Sequence, residues 1–209
     1  MIEWFDNHCH LPENPEEEIL RARKELVVGF VNVGTDLETS RMAKEKAKIF
    51  PDVWSTAGVH PHEARKGIEG IKDLLKDSNV VAVGEAGLDY HYDHSPREDQ
   101  NRVFAEHIEM AHMSNLPLVI HTREAWEETF KILDSEGVPE STVFHCFTGG
   151  KDEAKECLKR GAYLSFSGII TFKKSELLRE AASECPLDRA MIETDSPYLT
   201  PVPFRGKKN

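Results

Sequence analysis

The chain has 209 residues, of which 39% are hydrophobic, 8% aromatic and 30% charged. That composition excludes a disordered or fibrous protein and suits a chain that buries most of its apolar surface in one core. With 26 basic and 37 acidic residues the formal charge is −11, which excludes a generally basic nucleic-acid-coating protein but leaves room for a local basic patch or for bound divalent cations.

Short apolar runs bounded by polar, Gly or Pro residues predict eight strands: Trp4–Cys9, Val27–Val33, Val53–Val59, Val80–Gly84, Leu116–Ile120, Thr142–Phe144, Ala162–Phe166 and Ala190–Ile192. Helical segments fit between them. Asn14-Pro15 opens the first, with Glu16, Glu17 and Glu18 at the positive end of the helix dipole. Thr35 or Asp36 caps a second that runs to about Phe50, and a weaker third lies near Glu69–Lys76. Ser95-Pro96-Arg97-Glu98 reads as a capping box and opens a long fourth helix. Glu124–Ser135 and Asp152–Arg160 are stopped by Gly137 and Gly161, and Ser175–Glu184 is the seventh. Alternating strands and helices imply a parallel sheet with right-handed crossovers. Eight strands point to a (β/α)8 TIM barrel over a single domain, residues 1–209, with an open doubly wound sheet as the runner-up. The segment from Thr194 to Asn209 carries no eighth helix.

No run approaches the roughly 18 apolar residues of a membrane span, and Met1–Asp6 has neither the basic nor the long apolar stretch of a secretory signal. Cys9, Cys146, Cys157 and Cys185 form no Cys-x-x-Cys pair. A reduced, cytoplasmic protein with no membrane partner is expected.

The ten histidines carry the chemistry. In the first strand Asp6, His8 and His10 share one face, because residues two apart in a strand point the same way. His60, Glu85, His121, His145 and Asp195 each stand at or just beyond the end of an apolar run. In a parallel barrel all such ends converge on one mouth, where active sites form. This many imidazoles and carboxylates exceeds the needs of one tetrahedral metal and suits two cations bridged by a carboxylate. Paired cations acidify a water and clamp the attacking and leaving oxygens, and a neighbouring carboxylate can take the proton. Ligand softness does not choose among Zn, Mg and Mn. His62 reads equally as a partner of this cluster or as loop. His91 and His94 read as solvated loop, His107 and His112 as surface or helix-packing residues, and Asp89 as a pocket or turn residue. Cys9 and Cys146 read as small buried hydrophobes, and Trp4, Trp54 and Trp126 as packing residues.

Several motifs resemble one family in order along the chain: Asp6-Asn7-His8-Cys9-His10-Leu11, Gly58-Val59-His60-Pro61-His62, Gly84-Glu85-Ala86-Gly87-Leu88-Asp89-Tyr90, Ile120-His121-Thr122-Arg123, Phe144-His145-Cys146-Phe147-Thr148-Gly149 and Glu193-Thr194-Asp195-Ser196-Pro197-Tyr198-Leu199. They are similar to those of the TatD metal-dependent deoxyribonucleases of the amidohydrolase superfamily. The resemblance implies a (β/α)8 barrel holding two divalent metal ions and hydrolysing DNA, often as a 3′→5′ exonuclease. It implies that His8 and His10 bind one metal, that His121 and His145 bind the other, and that Glu85 bridges them. It further implies that Asp195 is a ligand and the general base, and that His60, Arg123 and Arg205 contact substrate phosphate. Arg205, Lys207 and Lys208 would then form a local basic patch beside the mouth. Two departures from the family pattern stand out. Asn7 replaces a common Thr, on the strand face expected to point away from the metals, and the usual last helix is missing. Without that helix apolar surface on the first and eighth strands would be exposed, predicting lower stability or a partner that covers it. The same metal cluster would also serve a hydrolase of a small ester, lactone, amide or phosphoester, whereas a non-catalytic barrel would have no need for every ligand position to be filled.

Overall fold

Eight parallel strands wrap into a nearly closed barrel in the computed structural model, which describes residues 1–209. The order is β1 (Trp4–Cys9), α1 (Glu16–Lys24), β2 (Val27–Asn32), α2 (Leu37–Ile49), β3 (Val53–Ala57), α3 (Ile71–Leu74), β4 (Val80–Asp89), α4 (Arg97–Ser114), β5 (Leu118–Arg123), α5 (Trp126–Glu136), β6 (Thr142–Phe144), α6 (Lys151–Lys159), β7 (Tyr163–Phe166), α7 (Glu176–Glu184) and β8 (Ala190–Ile192). Each strand pairs in parallel with the next, β1 through β8. The predicted barrel is therefore present, and the open doubly wound alternative is not.

The β1–β8 seam carries no regular ladder. It is closed at the mouth by Asp195 N donating to the His8 carbonyl (3.0 Å) and His10 N donating to the Ser196 carbonyl (2.7 Å). Deeper in the seam, the Asp6 carboxylate accepts from the Thr194 amide (2.9 Å) and hydroxyl (2.6 Å), and the Asn7 amide donates to the Ile192 carbonyl. Side chains thus substitute for backbone pairing where the strands diverge, satisfying groups that would otherwise be buried unpaired.

The core lies between the sheet and its helices, with Phe104, Ile108, Leu118, Leu133 and Phe144 fully buried. A smaller cluster of Cys9, Ile19, Phe30, Ala47 and Val53 fills the space between β1–β3 and the first two helices, so Cys9 behaves as the small buried hydrophobe expected. Cys146 does not, since it is only half-buried and borders the cleft. No helix follows β8 within these residues, and Trp4, Phe5 and Ile192 remain 43–47% exposed, the apolar surface anticipated for the first and eighth strands. Trp4 is therefore not a packing residue, whereas Trp54 packs on Phe5 and Trp126 on Phe130, Phe144 and Phe147.

Two local departures from the expected elements shape the mouth. Strand β4 does not stop at Gly84 but runs on to Asp89, with a register shift against β5 between Val83 and Ala86. Gly84 takes φ +134°, and a Cβ there would stand 2.5 Å from the Val119 carbonyl oxygen, so only glycine fits. The irregularity turns Glu85 into the barrel, a use typical of bulges beside active sites. Ser95, predicted to cap α4, does not. Its hydroxyl donates to the His62 carbonyl (2.8 Å) and accepts from Arg65 N (3.2 Å), and Pro96 stands at the cap position. Tying the His60 loop to α4 has displaced a local cap.

Candidate metal centre

The barrel mouth opens into a cleft of about 1170 Å³ bordered by His10, His60, Glu85, His121, His145 and Asp195. His8 lies beneath them, fully buried. Strands β1, β4, β5 and the segments after β3, β6 and β8 thus bring together all the metal-ligating candidates, although they span positions 8 to 195.

Glu85 is the hub. Its Oε2 lies 3.4 Å from His8 Nε2 and 4.0 Å from His10 Nε2. Its Oε1 lies 3.4 Å from His60 Nε2, 3.2 Å from His121 Nδ1 and 2.8 Å from His145 Nε2. The two carboxylate oxygens therefore face two separate imidazole groups, His8 with His10 and His60 with His121. His60 approaches Glu85 as closely as the ligand candidate His8 does. Asp195 Oδ1 completes the first group, 3.4 Å from His10 Nε2 and 3.9 Å from His8 Nε2. Asp195 sits at φ +54°, on the turn that immediately follows the seam hydrogen bond to His8.

The donor set fits cations. Neither ring nitrogen of His8 has a hydrogen-bond partner, although the ring is wholly buried and stacked on His145 at 3.8 Å. Leaving a buried polar atom unsatisfied costs about 1–3 kcal/mol, which a cation at Nε2 would offset. Two ligand atoms each about 2.1 Å from one tetrahedral cation lie about 3.4 Å apart. That separation is long for a hydrogen bond, yet it recurs here between His8 and Glu85 and between His10 and Asp195.

The electrostatics follow from this crowding. Burial opposes charge on Glu85, but the His145 imidazole and hydrogen bonds from His121 and His145 outweigh it and hold the carboxyl well below its ordinary range. Burial likewise opposes a charged His145, and Glu85 and Glu193 overcome it and raise that imidazole well above its usual value. At His60 burial wins and the ring is driven well below its usual value, hence neutral.

Two carboxylates that support the candidate ligands were not singled out from the sequence as part of the cluster. Glu193 Oε1 accepts from His145 Nδ1 (3.2 Å) and from Cys146 N (2.9 Å), while its Oε2 accepts from the Ser165 hydroxyl (2.6 Å). Asn7 Nδ2 donates in turn to Ser165 Oγ (3.0 Å), so the replaced residue of the first motif joins a chain that ends on His145. Asp89 uses Oδ1 to accept from His91 N and Tyr92 N and presents Oδ2 to His121 Nε2 (3.2 Å) and His62 Nε2 (3.0 Å). Asp89 is thus both a turn and a pocket residue, and His62 belongs to the supporting shell. A carboxylate on the far nitrogen of a ligating imidazole fixes its tautomer and orientation. Glu193→Gln is accordingly expected to weaken cation affinity about 10–100-fold, read by competition with a chromogenic chelator. Unchanged affinity would show that His145 needs no support from behind.

The remaining candidates lie further out. Arg123 borders the cleft with its guanidinium 4.8 Å from the Tyr92 ring, and Arg205 stacks 4.1 Å over Phe172 on the cleft wall. Lys208 is paired with Glu18 at 2.6 Å. His91 pairs with Glu124, and His112 bonds the Gly137 carbonyl, both outside the cluster.

The profile of the TatD related DNase family matches residues 5–209. The "uncharacterized metal-dependent hydrolase YabD" of Bacillus subtilis (strain 168) is 43% identical over 98% of this chain and 84% of its own length. The "3'-5' ssDNA/RNA exonuclease TatD" of Escherichia fergusonii is 37% identical over 89% of this chain and 74% of its own. The crystal structure of YJJV, a TatD homologue from Escherichia coli K12, superposes with a TM-score of 0.90 at 26% identity, covering 99% of this chain and 84% of that one. Profile, relatives and barrel agree: the chain belongs to the TatD family of metal-dependent hydrolases.

Proposed function

We propose that the protein is a divalent-metal-dependent nuclease that hydrolyses phosphodiester bonds of single-stranded DNA, working 3′→5′ from an end. The observation that carries this reading is the division of the buried Glu85 carboxylate between two imidazole groups, with Asp195 beside the first. His8, His10 and Asp195 would hold one cation, His121 and His145 the other, and Glu85 both. When bound, such a pair supplies an acidified water and a clamp on the attacking and leaving oxygens. Asp195, open to the cleft, takes the proton of the attacking water. His60, which borders the cleft beside Glu85, is placed to contact a phosphate oxygen. Arg123 and Arg205 supply the positive charge that the acidic chain otherwise lacks. The polarity of attack and the single-strand preference are supported by the likeness to the 3'-5' ssDNA/RNA exonuclease of Escherichia fergusonii.

The test is end-labelled single-stranded DNA with Mg²⁺, Mn²⁺ or Zn²⁺ against EDTA, beside a His8→Ala/Asp195→Ala double variant that exposes contaminating nucleases. Metal-dependent laddering from the 3′ end, absent in the variant, is the expected result. Cleavage of carboxylic esters, lactones or small phosphoesters with DNA untouched overturns it.

A further inference from the structure

One aromatic ring at the mouth is neither packed nor claimed by the chemistry above. Tyr198 borders the cleft yet is 60% exposed. Its ring has a single aromatic neighbour, His10, at 6.0 Å and 65°. The other aromatic rings bordering the cleft are already engaged. Trp126 packs against three phenylalanines, Phe172 lies under Arg205, and Tyr92, though half exposed, contacts Arg123, His62, His91 and His94.

The backbone beneath Tyr198 is fixed on both sides. Its amide donates to the Asp195 carbonyl (2.9 Å), and its carbonyl accepts from Asn209 Nδ2 (2.8 Å). The turn that positions Asp195 therefore positions this ring as well. A rigid aromatic with only two side-chain torsions presents a large flat contact at low entropic cost. Here it stands one ring away from His10, whose Nε2 faces Asp195 and Glu85.

We propose that Tyr198 is the platform on which the base of the nucleotide being cleaved stacks, so that its phosphate is delivered to the His10–Asp195 side of the centre. This deepens the nuclease reading and rests on it. Every base has a π-face, so such a platform accepts any base but requires that one be present and unpaired. Selection would then be for a base at the scissile nucleotide and not for a sequence.

The experiment compares wild type, Tyr198→Ala and Tyr198→Phe, loaded with Mn²⁺, on a labelled oligothymidylate and on the same strand with a tetrahydrofuran abasic residue at the end that wild type removes. Tyr198→Ala is expected to raise KM for the base-bearing strand about tenfold and to change kcat little, while Tyr198→Phe behaves as wild type. On the abasic strand wild type and Tyr198→Ala should coincide. Cation affinity of the alanine variant, measured by chelator competition, should match wild type. Equal loss on both strands, or lowered cation affinity, would show that the ring merely supports His10 and would overturn the proposal. Identical kinetics of alanine variant and wild type on the base-bearing strand would overturn it too, with the nuclease reading intact. A metal-loaded wild type that neither binds nor cuts the oligonucleotide refutes the nuclease reading itself, and this inference falls with it.

Discussion

Replacing Glu85 by Gln is expected to lower cation affinity by more than about 100-fold, beyond the 10–100-fold typical of a supporting residue, and to remove turnover. The reason is geometric. No other carboxylate faces both imidazole groups, with Oε2 toward His8 and His10 and Oε1 toward His60, His121 and His145. Gln has the same shape but replaces one oxygen with an amide nitrogen that cannot ligate, so one of the two groups must lose its Glu85 oxygen. The residue is 3% exposed, and the surrounding imidazoles hold it ionised despite that burial, so the charge lost is one the surroundings are built around. Equilibrium dialysis with metal analysis by mass spectrometry reads the occupancy, and thermal melting separates lost affinity from lost fold. A folded Glu85→Gln protein that retains the wild-type cation content would sink the bridging role.

Why the candidate ligands were visible in the sequence and their supports were not follows from the kind of order each depends on. His8, His10, His121 and His145 lie at the ends of apolar runs, and a parallel barrel gathers such ends at one mouth whatever the details of its registers. Glu193 and Asp89 act through register. Glu193 reaches His145 because β8 lies beside β7, where Ser165 fixes its second oxygen, and because Asn7 spans the seam from β1. No local pattern encodes that chain, although the two-residue spacing of Glu193 and Asp195 was a usable signal that both belong to the eighth-strand end. Asp89 was obscured by the apparent end of β4 at Gly84. Only pairing with β5 carries the strand on to Asp89, opposite Arg123. Ser95 failed in the opposite way. Its local cap pattern is genuine, but a tertiary bond to the His62 carbonyl took the hydroxyl. His60 was legible as a site residue by position, whereas its approach to Glu85 depends on how α4 holds the end of β3.

That hold gives the second large expected effect. His107 on α4 is fully buried, with Nδ1 donating to the Val103 carbonyl (2.7 Å) and Nε2 accepting from the Val59 amide (2.9 Å), one residue before His60. Of the two readings the sequence offers, surface or helix packing, the structure shows packing: a neutral imidazole clamps helix to strand, and burial pushes its pKa down from 6.5 to about 4. A proton at Nε2 would have to displace the Val59 N–H. The unfolded chain takes up that proton near pH 6.5, while the folded chain resists it down to about pH 4. The contribution of His107 to stability is therefore complete above pH 6.5 and is lost as the pH falls toward 4. The loss amounts to about 2 kcal/mol at pH 5 and about 3 kcal/mol at pH 4. Imidazoles of the metal centre with raised pKa values, such as His145, shift stability the other way over part of this range, so the wild-type curve alone does not isolate the effect. The difference between wild type and His107→Gln does, because Gln can keep one donor and one acceptor but cannot titrate. In urea unfolding of chelator-treated protein, wild type should lose stability relative to His107→Gln by that amount between pH 7 and pH 5. Parallel curves for the two proteins would mean that His107 is protonated as readily folded as unfolded, and the clamp would not be the neutral one seen here.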